Sequence, residues 1–132
     1  MDNLSALQEE IASPSENMFL ARQLQKLESL RQGVASELPI LGSMIALDIV
    51  NTVVDYYIND KELTVSELWK SLSHSNTGIR IQFKRLVNGG WLETKKSDGI
   101  DSRLRLVTPT NALLDCYLNL IRSAELFFVD EG

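Results

Sequence analysis

The sequence has few of the residues that build disulfides and metal centres, with one cysteine, Cys116, and one histidine, His74, among 132 residues. One cysteine cannot form a disulfide framework, and no second His or Cys stands at metal-ligand spacing. We therefore expect no cofactor. Cys116 lies among apolar residues, which favours a packed small hydrophobe over a redox sensor. His74 lies in a predicted turn, where a solvated or hydrogen-bonded side chain is the usual role.

Long apolar runs and catalytic motifs are also missing. No run reaches the roughly eighteen apolar residues that a membrane span needs, and the acidic N-terminus lacks the charge pattern of a signal peptide. The sequence contains no nucleophile elbow, phosphate loop, paired carboxylates or metal cluster. Asp98 and Asp101 suit turns better than catalysis, because no general-base partner accompanies them. These absences predict a cytoplasmic protein that is not an enzyme and does not enter the membrane.

The chain is acidic overall, but its charges are unevenly distributed around a net charge of −5. Residues 61–107 contain nine Lys or Arg and five Asp or Glu, a balance of +4, whereas the remainder contains four and thirteen, a balance of −9. Acidic groups beyond the screening length of about 8–10 Å do not cancel a local positive surface. Residues 61–107 therefore keep the positive charge that phosphate binding needs. The alternative explanation is that these charged side chains are scattered over helix surfaces and serve only to solvate them.

Two short helices joined by a polar turn are predicted over residues 64–88. In the first helix, Thr64 followed by Glu67 has the pattern of a capping box. Leu68 and Leu72 lie one turn apart and give this helix one apolar face. Such a helix is typical of the scaffold half of a helix-turn-helix.

The second helix is predicted over residues 76–88, with Ser75 as its cap. Ile79, Phe83 and Leu86 recur at helical intervals and predict an inward stripe. The opposite face can donate hydrogen bonds to phosphates and base edges. The residues of that face are Asn76, Thr77, Arg80, Lys84 and Arg85.

A hairpin is predicted next, with strands over residues 91–96 and 102–107 and a Gly-containing loop between them. In the second strand Arg103 and Arg105 alternate with leucines, so both arginines should point to the solvent side. The hairpin is therefore expected to be a basic ribbon. Its cationic residues are Lys95, Lys96, Arg103 and Arg105.

Residues 64–114 resemble the winged-helix core of the MarR family of bacterial transcription regulators. The resemblance is carried by Thr-x-Ser-Glu-Leu in the scaffold helix, Leu-Val-Asn-Gly-Gly-Trp-Leu at the end of the recognition helix, Asp-x-Arg at the wing, and the following Thr-Pro. It implies that Arg103 enters the minor groove and that Asp101 braces this arginine or a basic residue of the recognition helix. It also implies a homodimer that reads two half-sites about one helical turn apart.

Three longer helices are predicted around this core. The first begins at Ser13-Pro14 and ends near Gly33, after residues 1–12 that are either a short helix or loose. The second begins at Leu38-Pro39, ends near Tyr57 and is apolar almost all round, so that a buried strand pair is the competing interpretation. The third begins with Thr108 as cap and Pro109 at its first position, and it has two apolar faces. Its end, with Phe127 and Phe128, is expected to be covered by a second copy.

Together these elements predict a mostly α-helical fold with a small β-hairpin wing. We expect a winged helix-turn-helix whose long N- and C-terminal helices form a dimerisation region. The predicted parts are an N-terminal dimerisation region over 1–37, a DNA-binding core over 38–108 and a C-terminal dimerisation helix over 109–132.

The predicted function is sequence-specific binding of double-stranded DNA by a homodimeric transcriptional regulator. The helix over 76–88 would lie in the major groove and the wing over 91–107 near the minor groove. Base contacts are assigned to Asn76, Thr77 and Arg80, and minor-groove contact to Arg103. Ser75, at the helix start, is also predicted to bind DNA. Phosphate contacts are assigned to Lys84, Arg85, Lys95, Lys96 and Arg105.

Two questions stay open from the sequence. A winged helix can also serve as a protein-interaction module without DNA readout, and the acidic total and Gly78 near the recognition-helix start are compatible with that role. The second open question is whether the protein binds a small-molecule effector. Met44, Tyr56, Tyr57 and Tyr117 could line its cleft, but the same residues suit an ordinary core, which is the favoured interpretation.

Overall fold

The computed structural model describes residues 14–97 and 103–129, with the backbone alone for 125–129. The predicted cap Ser13, residues 1–12, Asp98, Asp101 and the side chains of Phe127 and Phe128 lie outside this description. Among the described residues, no helix is both long and apolar enough to cross a membrane.

The described chain contains five helices and one antiparallel two-stranded sheet, so the predicted mostly α-helical fold with a β-hairpin is confirmed. In chain order the elements are α1 (Pro14–Glu37), α2 (Met44–Ile58), α3 (Val65–Ser71), α4 (Asn76–Asn88), β1 (Leu92–Lys96), β2 (Arg105–Pro109) and α5 (Asn111–Val129).

Helix α1 is longer than the sequence suggests, because it continues through Gly33 to Glu37. The predicted end near Gly33 is therefore wrong. A Cβ built on Gly33 would lie 3.1 Å from Leu120 Cδ1 of α5. The absent side chain thus allows α1 and α5 to approach each other closely, and the glycine does not end the helix.

The predicted start of the second long helix at Leu38-Pro39 is also wrong. Residues 38–42 form a turn, in which Leu41 has φ of 47° and Gly42 has φ of 75°. Helix α2 begins at Met44, where Ser43 acts as cap and its Oγ accepts a hydrogen bond from the Ala46 N–H at 3.1 Å. Two apolar side chains of the turn are buried, which explains why the sequence pattern continues past the true helix boundary.

Helix α2 lies at the centre of the core, as its nearly all-round apolar pattern predicts. Ala46, Ile49, Val50 and Val53 are buried. Around them, α3, α4, the hairpin and α5 each contribute apolar side chains. The largest fully buried ones are Leu68, Ile79, Leu86, Leu92 and Leu113, and Leu63 of the loop before α3 is fully buried as well. This arrangement ties α3 and α4 to one rigid support.

The hairpin pairs β1 with β2 in a register that runs from Leu92 opposite Pro109 to Lys96 opposite Arg105. The second strand therefore lies about two residues further along the chain than predicted. Because Thr108 and Pro109 belong to β2, the prediction that they begin the last helix is wrong. Proline is tolerated at the end of an edge strand, where a missing N–H costs no sheet hydrogen bond.

Thr110 is the residue that starts α5. Its Oγ1 accepts a hydrogen bond from the Leu113 N–H at 3.3 Å and donates one to the Gly90 carbonyl at 2.8 Å. Its own N–H donates to the Trp91 carbonyl at 3.1 Å. This one residue therefore joins the start of α5 to the start of the hairpin.

Candidate nucleic-acid interface

Helix α4 has the predicted bounds and the predicted cap. Ser75 Oγ accepts a hydrogen bond from the Gly78 N–H at 3.1 Å, which satisfies one of the free donors at the helix start. Ile79 and Leu86 are buried, and Phe83 meets Trp69 of α3 edge to face with ring centroids 5.0 Å apart. The predicted inward stripe is therefore confirmed. It fixes which face of α4 points away from the protein.

Gly78 brings the start of α4 close to α2. A Cβ built on Gly78 would lie 2.7 Å from Ile45 Cδ1 and 3.0 Å from Ser75 Oγ. Real Cβ atoms essentially never make contacts under 3.0 Å. Gly78 is therefore explained by helix packing, which argues neither for nor against a protein-interaction module.

The turn before α4 is joined to α2 by a polar contact. His74 Nε2 lies 2.6 Å from Asp48 Oδ2. Both side chains are partly exposed, and Asp48 is the more exposed of the two. The hydrogen-bonded role expected for this histidine is confirmed. The contact adds a second link between α2 and the start of α4.

The outward face of α4 carries most of the residues predicted for its DNA contacts. Asn76, Thr77, Arg80 and Lys84 are exposed, as is the cap Ser75. They recur at helical intervals of three and four, so they share one surface. This surface offers two cations and several hydrogen-bond donors, together with one apolar side chain, Ile81, and Asn88 near the end.

Arg85 differs from the other cations of α4 because it is half-buried. Its Nη2 donates a hydrogen bond to the Pro39 carbonyl at 3.0 Å, and its Nε donates to Gln82 Oε1 at 3.0 Å. Arg85 thus holds α4 to the turn that precedes α2. No local pattern predicts this role, since Pro39 and Arg85 are 46 positions apart.

The four cations predicted for the wing are all exposed. Lys96 lies opposite Arg105, while Lys95 lies opposite Leu106. Because successive strand residues point to opposite sides, Lys96 and Arg105 share one face and Lys95 lies on the other. Arg105 Nη2 also donates a hydrogen bond to Thr94 Oγ1 at 3.0 Å. Arg103 is exposed in the turn before β2, outside the strand.

Lys95 faces a groove formed with the loop after α2. That groove has a volume of about 540 Å³ and is also lined by Tyr56, Tyr57 and Lys61. The neighbouring strand β2 is held to the loop after α2 by a backbone hydrogen bond from the Val107 N–H to the Leu63 carbonyl at 2.9 Å. The wing therefore presents cations on two sides, and the side with Lys95 is shared with α2.

A second groove, of about 590 Å³, lies between α2 and α5 and is mostly apolar. Tyr117 lines it, and its hydroxyl donates a hydrogen bond to Asn51 Oδ1. Burial raises the pKa of the Tyr117 hydroxyl above its usual range. Tyr56 and Tyr57 line the other groove and Met44 is exposed. The four residues suggested for one effector cleft thus do not line one cavity, and an effector stays a prediction.

The other candidate groups are Cys116 and the side chains that could bind a metal. Burial, with Glu37 and Asp115 nearby, raises the pKa of the Cys116 thiol, and a raised pKa leaves less of the reactive thiolate. Within residues 14–97 and the described part of 103–129, no three His, Cys, Asp or Glu side chains are grouped so that they could hold a metal ion.

A scan against protein-family models gives no match for the chain, and a search of curated proteins gives none either. Solved structures do resemble it. The transcriptional regulator PA4135 is 14% identical over 89% of this chain and 80% of its own, with a TM-score of 0.56. AbfR in its disulfide form is 17% identical over 96% and 82%, with a TM-score of 0.55. Apo wild-type MarR from E. coli is 19% identical over 85% and 83%, with a TM-score of 0.50.

These likenesses extend over 85% to 96% of the chain. At such low identities they establish the fold and leave function to be argued from the residues. The chain has the winged-helix fold of MarR-type regulators, as its sequence motifs predict.

Proposed function

We propose that the protein is a sequence-specific, double-stranded DNA-binding transcriptional regulator that acts as a homodimer in the bacterial cytoplasm. Helix α4 would lie in the major groove and the wing near the minor groove. The observation that carries the proposal is the outward face of α4, with Asn76, Thr77, Arg80 and Lys84 exposed while the opposite face is packed in the core. The structurally similar PA4135 is itself described as a transcriptional regulator, which supports the same role here.

Charge supports the proposal as well. The excess of positive charge falls in residues 61–107, which include α4, β1 and the first three residues of β2. A duplex is attracted to such a surface and repelled by the acidic remainder, so that the protein is oriented before contact. Lys84, Lys96 and Arg105 are exposed and suited to phosphates, whereas Asn76, Thr77 and Arg80 stand nearer the helix start, where base edges are met.

The homodimer is proposed from the apolar surfaces of the terminal helices. No residue of helix α1 is fully buried within the chain, although Leu30 and Val34 near its end are partly buried against the core. Five large apolar side chains along it are between 48% and 67% exposed, and α5 adds two more. Surfaces of this kind usually bind a partner, and a second copy with two-fold symmetry would present two copies of α4. The exposed residues are Met18, Phe19, Leu20, Leu24 and Leu27 of α1 and Leu118 and Ile121 of α5.

The experiment is selection of bound fragments from a random duplex pool, followed by fluorescence anisotropy with the best duplex. We expect affinity to fall steeply between about 50 and 200 mM salt, because phosphate contacts release counterions. Arg80→Ala should lose sequence preference, while Lys96→Ala should weaken all duplexes alike and reduce the salt slope by about one. Arg122→Ala, on the exposed side of α5, is the control for loss of a cation elsewhere.

A protein that binds no duplex at low salt would contradict the DNA-binding proposal and favour the interaction module. The dimer is tested separately by sedimentation velocity, which should give twice the chain mass of 14.8 kDa. Leu24→Glu should shift the protein toward the monomer, because it buries a charge in the proposed interface. A monomeric wild-type protein would refute the homodimer.

A further inference from the structure

Ile81 is an apolar side chain on the outward, polar face of α4. It is 59% exposed, whereas the other large apolar side chains of α3 and α4 are buried or half-buried. It belongs neither to the buried core nor to the partly buried residues packed against that core. Core packing therefore does not account for it.

The position of Ile81 is the middle of the surface that we propose enters the major groove. It lies four residues after Thr77 and three before Lys84, and side chains at these spacings are neighbours on a helix. Both neighbours are exposed, as is Arg80. The helix is held by packing on its other side, so Ile81 stays on the outward face. Any duplex that contacts Thr77 and Lys84 also meets Ile81.

The major groove offers one apolar group among the base edges, the 5-methyl group of thymine. Arginine suits guanine and asparagine suits adenine, since both bases present pairs of hydrogen-bonding atoms. Neither side chain gains from the thymine methyl. An isoleucine cannot satisfy a polar base edge, but it can remove a methyl group from water.

We propose that Ile81 is a specificity-determining residue that selects thymine by packing against its 5-methyl group. This inference rests on the proposed function, because it requires α4 to lie in the major groove. It adds to the polar contacts of Asn76, Thr77 and Arg80 one position in each half-site where thymine is favoured. It also distinguishes thymine from cytosine, which lacks the methyl group and presents a donor that Ile81 cannot pair.

The test compares thymine with deoxyuridine, which lacks only the 5-methyl group. Each thymine of the selected duplex is replaced in turn, and binding is measured by anisotropy for the wild-type protein and for Ile81→Ala. At one position in each half-site, deoxyuridine should weaken wild-type binding about fourfold, the worth of burying one methyl group. The same replacement should not change binding by Ile81→Ala. Ile81→Val, which keeps a branched side chain, should retain part of the difference.

Ile58→Ala is the matched control, because Ile58 is also an exposed isoleucine of a helix. It lies at the end of α2 about 20 Å along the helix axis from Ile45, the residue that touches Gly78 of α4. This variant should keep the full thymine preference. Thermal unfolding checks that Ile81→Ala is folded, as expected for a strong helix former at an exposed site.

Two results would overturn the inference, and they have different meanings. If every thymine replacement changes wild-type and Ile81→Ala binding equally, Ile81 does not read the methyl group, although the protein still binds DNA. If the selection yields no duplex that the wild-type protein binds, the proposed function fails and this inference fails with it.

Discussion

The substitution Gly78→Ala tests the closest contact between α4 and the rest of the protein. The added Cβ would lie 2.7 Å from Ile45 Cδ1, about 0.7 Å closer than ordinary contacts, which begin at 3.4 Å. It would also lie 3.0 Å from the Ser75 Oγ that caps the helix. Either Ile45 leaves its rotamer, or the start of α4 moves away from α2.

Two opposing effects decide how much Gly78→Ala changes the free energy of unfolding. Alanine is a better helix former than glycine and would by itself stabilise α4 by up to about 1 kcal/mol. Overpacking against a half-buried side chain typically costs about 1–3 kcal/mol, and weakening the Ser75 cap costs about 0.5–2 kcal/mol. The costs exceed the gain. We therefore expect Gly78→Ala to lower the free energy of unfolding by about 1–3 kcal/mol.

Urea unfolding followed by circular dichroism measures this change, with all variants at one protein concentration because association would shift the midpoints. Ile45→Val provides the matched background, since it removes the atom that clashes. Alone it should cost about 0.5–1.5 kcal/mol, yet in this background Gly78→Ala should be close to neutral. A stabilised Gly78→Ala single variant with no coupling to Ile45→Val would refute the reasoning.

Arg85→Ala should lower the free energy of unfolding by about 1–2 kcal/mol, because it removes the hydrogen bond to the Pro39 carbonyl. The control Lys84→Ala, at the exposed neighbouring position, should change the free energy of unfolding by no more than about 0.5 kcal/mol. Equal urea midpoints for the two would show that the Pro39 contact contributes nothing. Burial raises the pKa of Tyr117 above its usual value of about 10, so the unfolded chain loses this proton at lower pH than the folded one. The stability due to Tyr117 is therefore complete below about pH 10 and falls as the pH rises toward the folded-state pKa. Tyr117→Phe should flatten that decline, and an unchanged slope would contradict the assignment.

Local signals in the sequence predict the helix-turn-helix well. Thr64 and Ser75 are caps whose partners lie three residues away, so their hydrogen bonds depend only on neighbouring backbone. Ile79 and Leu86 are buried because the helical period places them on one face. Where a structural decision depends on a few adjacent residues, the pattern contains the information needed.

The wrong predictions occur where a contact between residues far apart in the chain decides between two similar local patterns. Thr108-Pro109 and Thr110 are both acceptable starts for a helix, but the pairing of Pro109 with Leu92 extends the strand and leaves Thr110 as the cap. Gly33 resembles a helix stop, yet its close approach to Leu120 explains it better. Arg85 resembles the other cations of α4 until Pro39, far away in the chain, is brought beside it. No window of sequence contains these partners.

Substitutions on the two faces of α4 should have different effects. This difference distinguishes the proposed regulator from a protein in which α4 serves stability alone. The inner face is attached at Gly78, Phe83 and Arg85 to α2, to α3 and to the turn before α2. Changes there should alter stability first and DNA binding only as a consequence. On the outer face, Arg80 and Ile81 make no contribution to the core, so their replacement should alter DNA binding at constant stability. A rigid inner face is what allows a base-reading surface to keep its geometry before the duplex arrives.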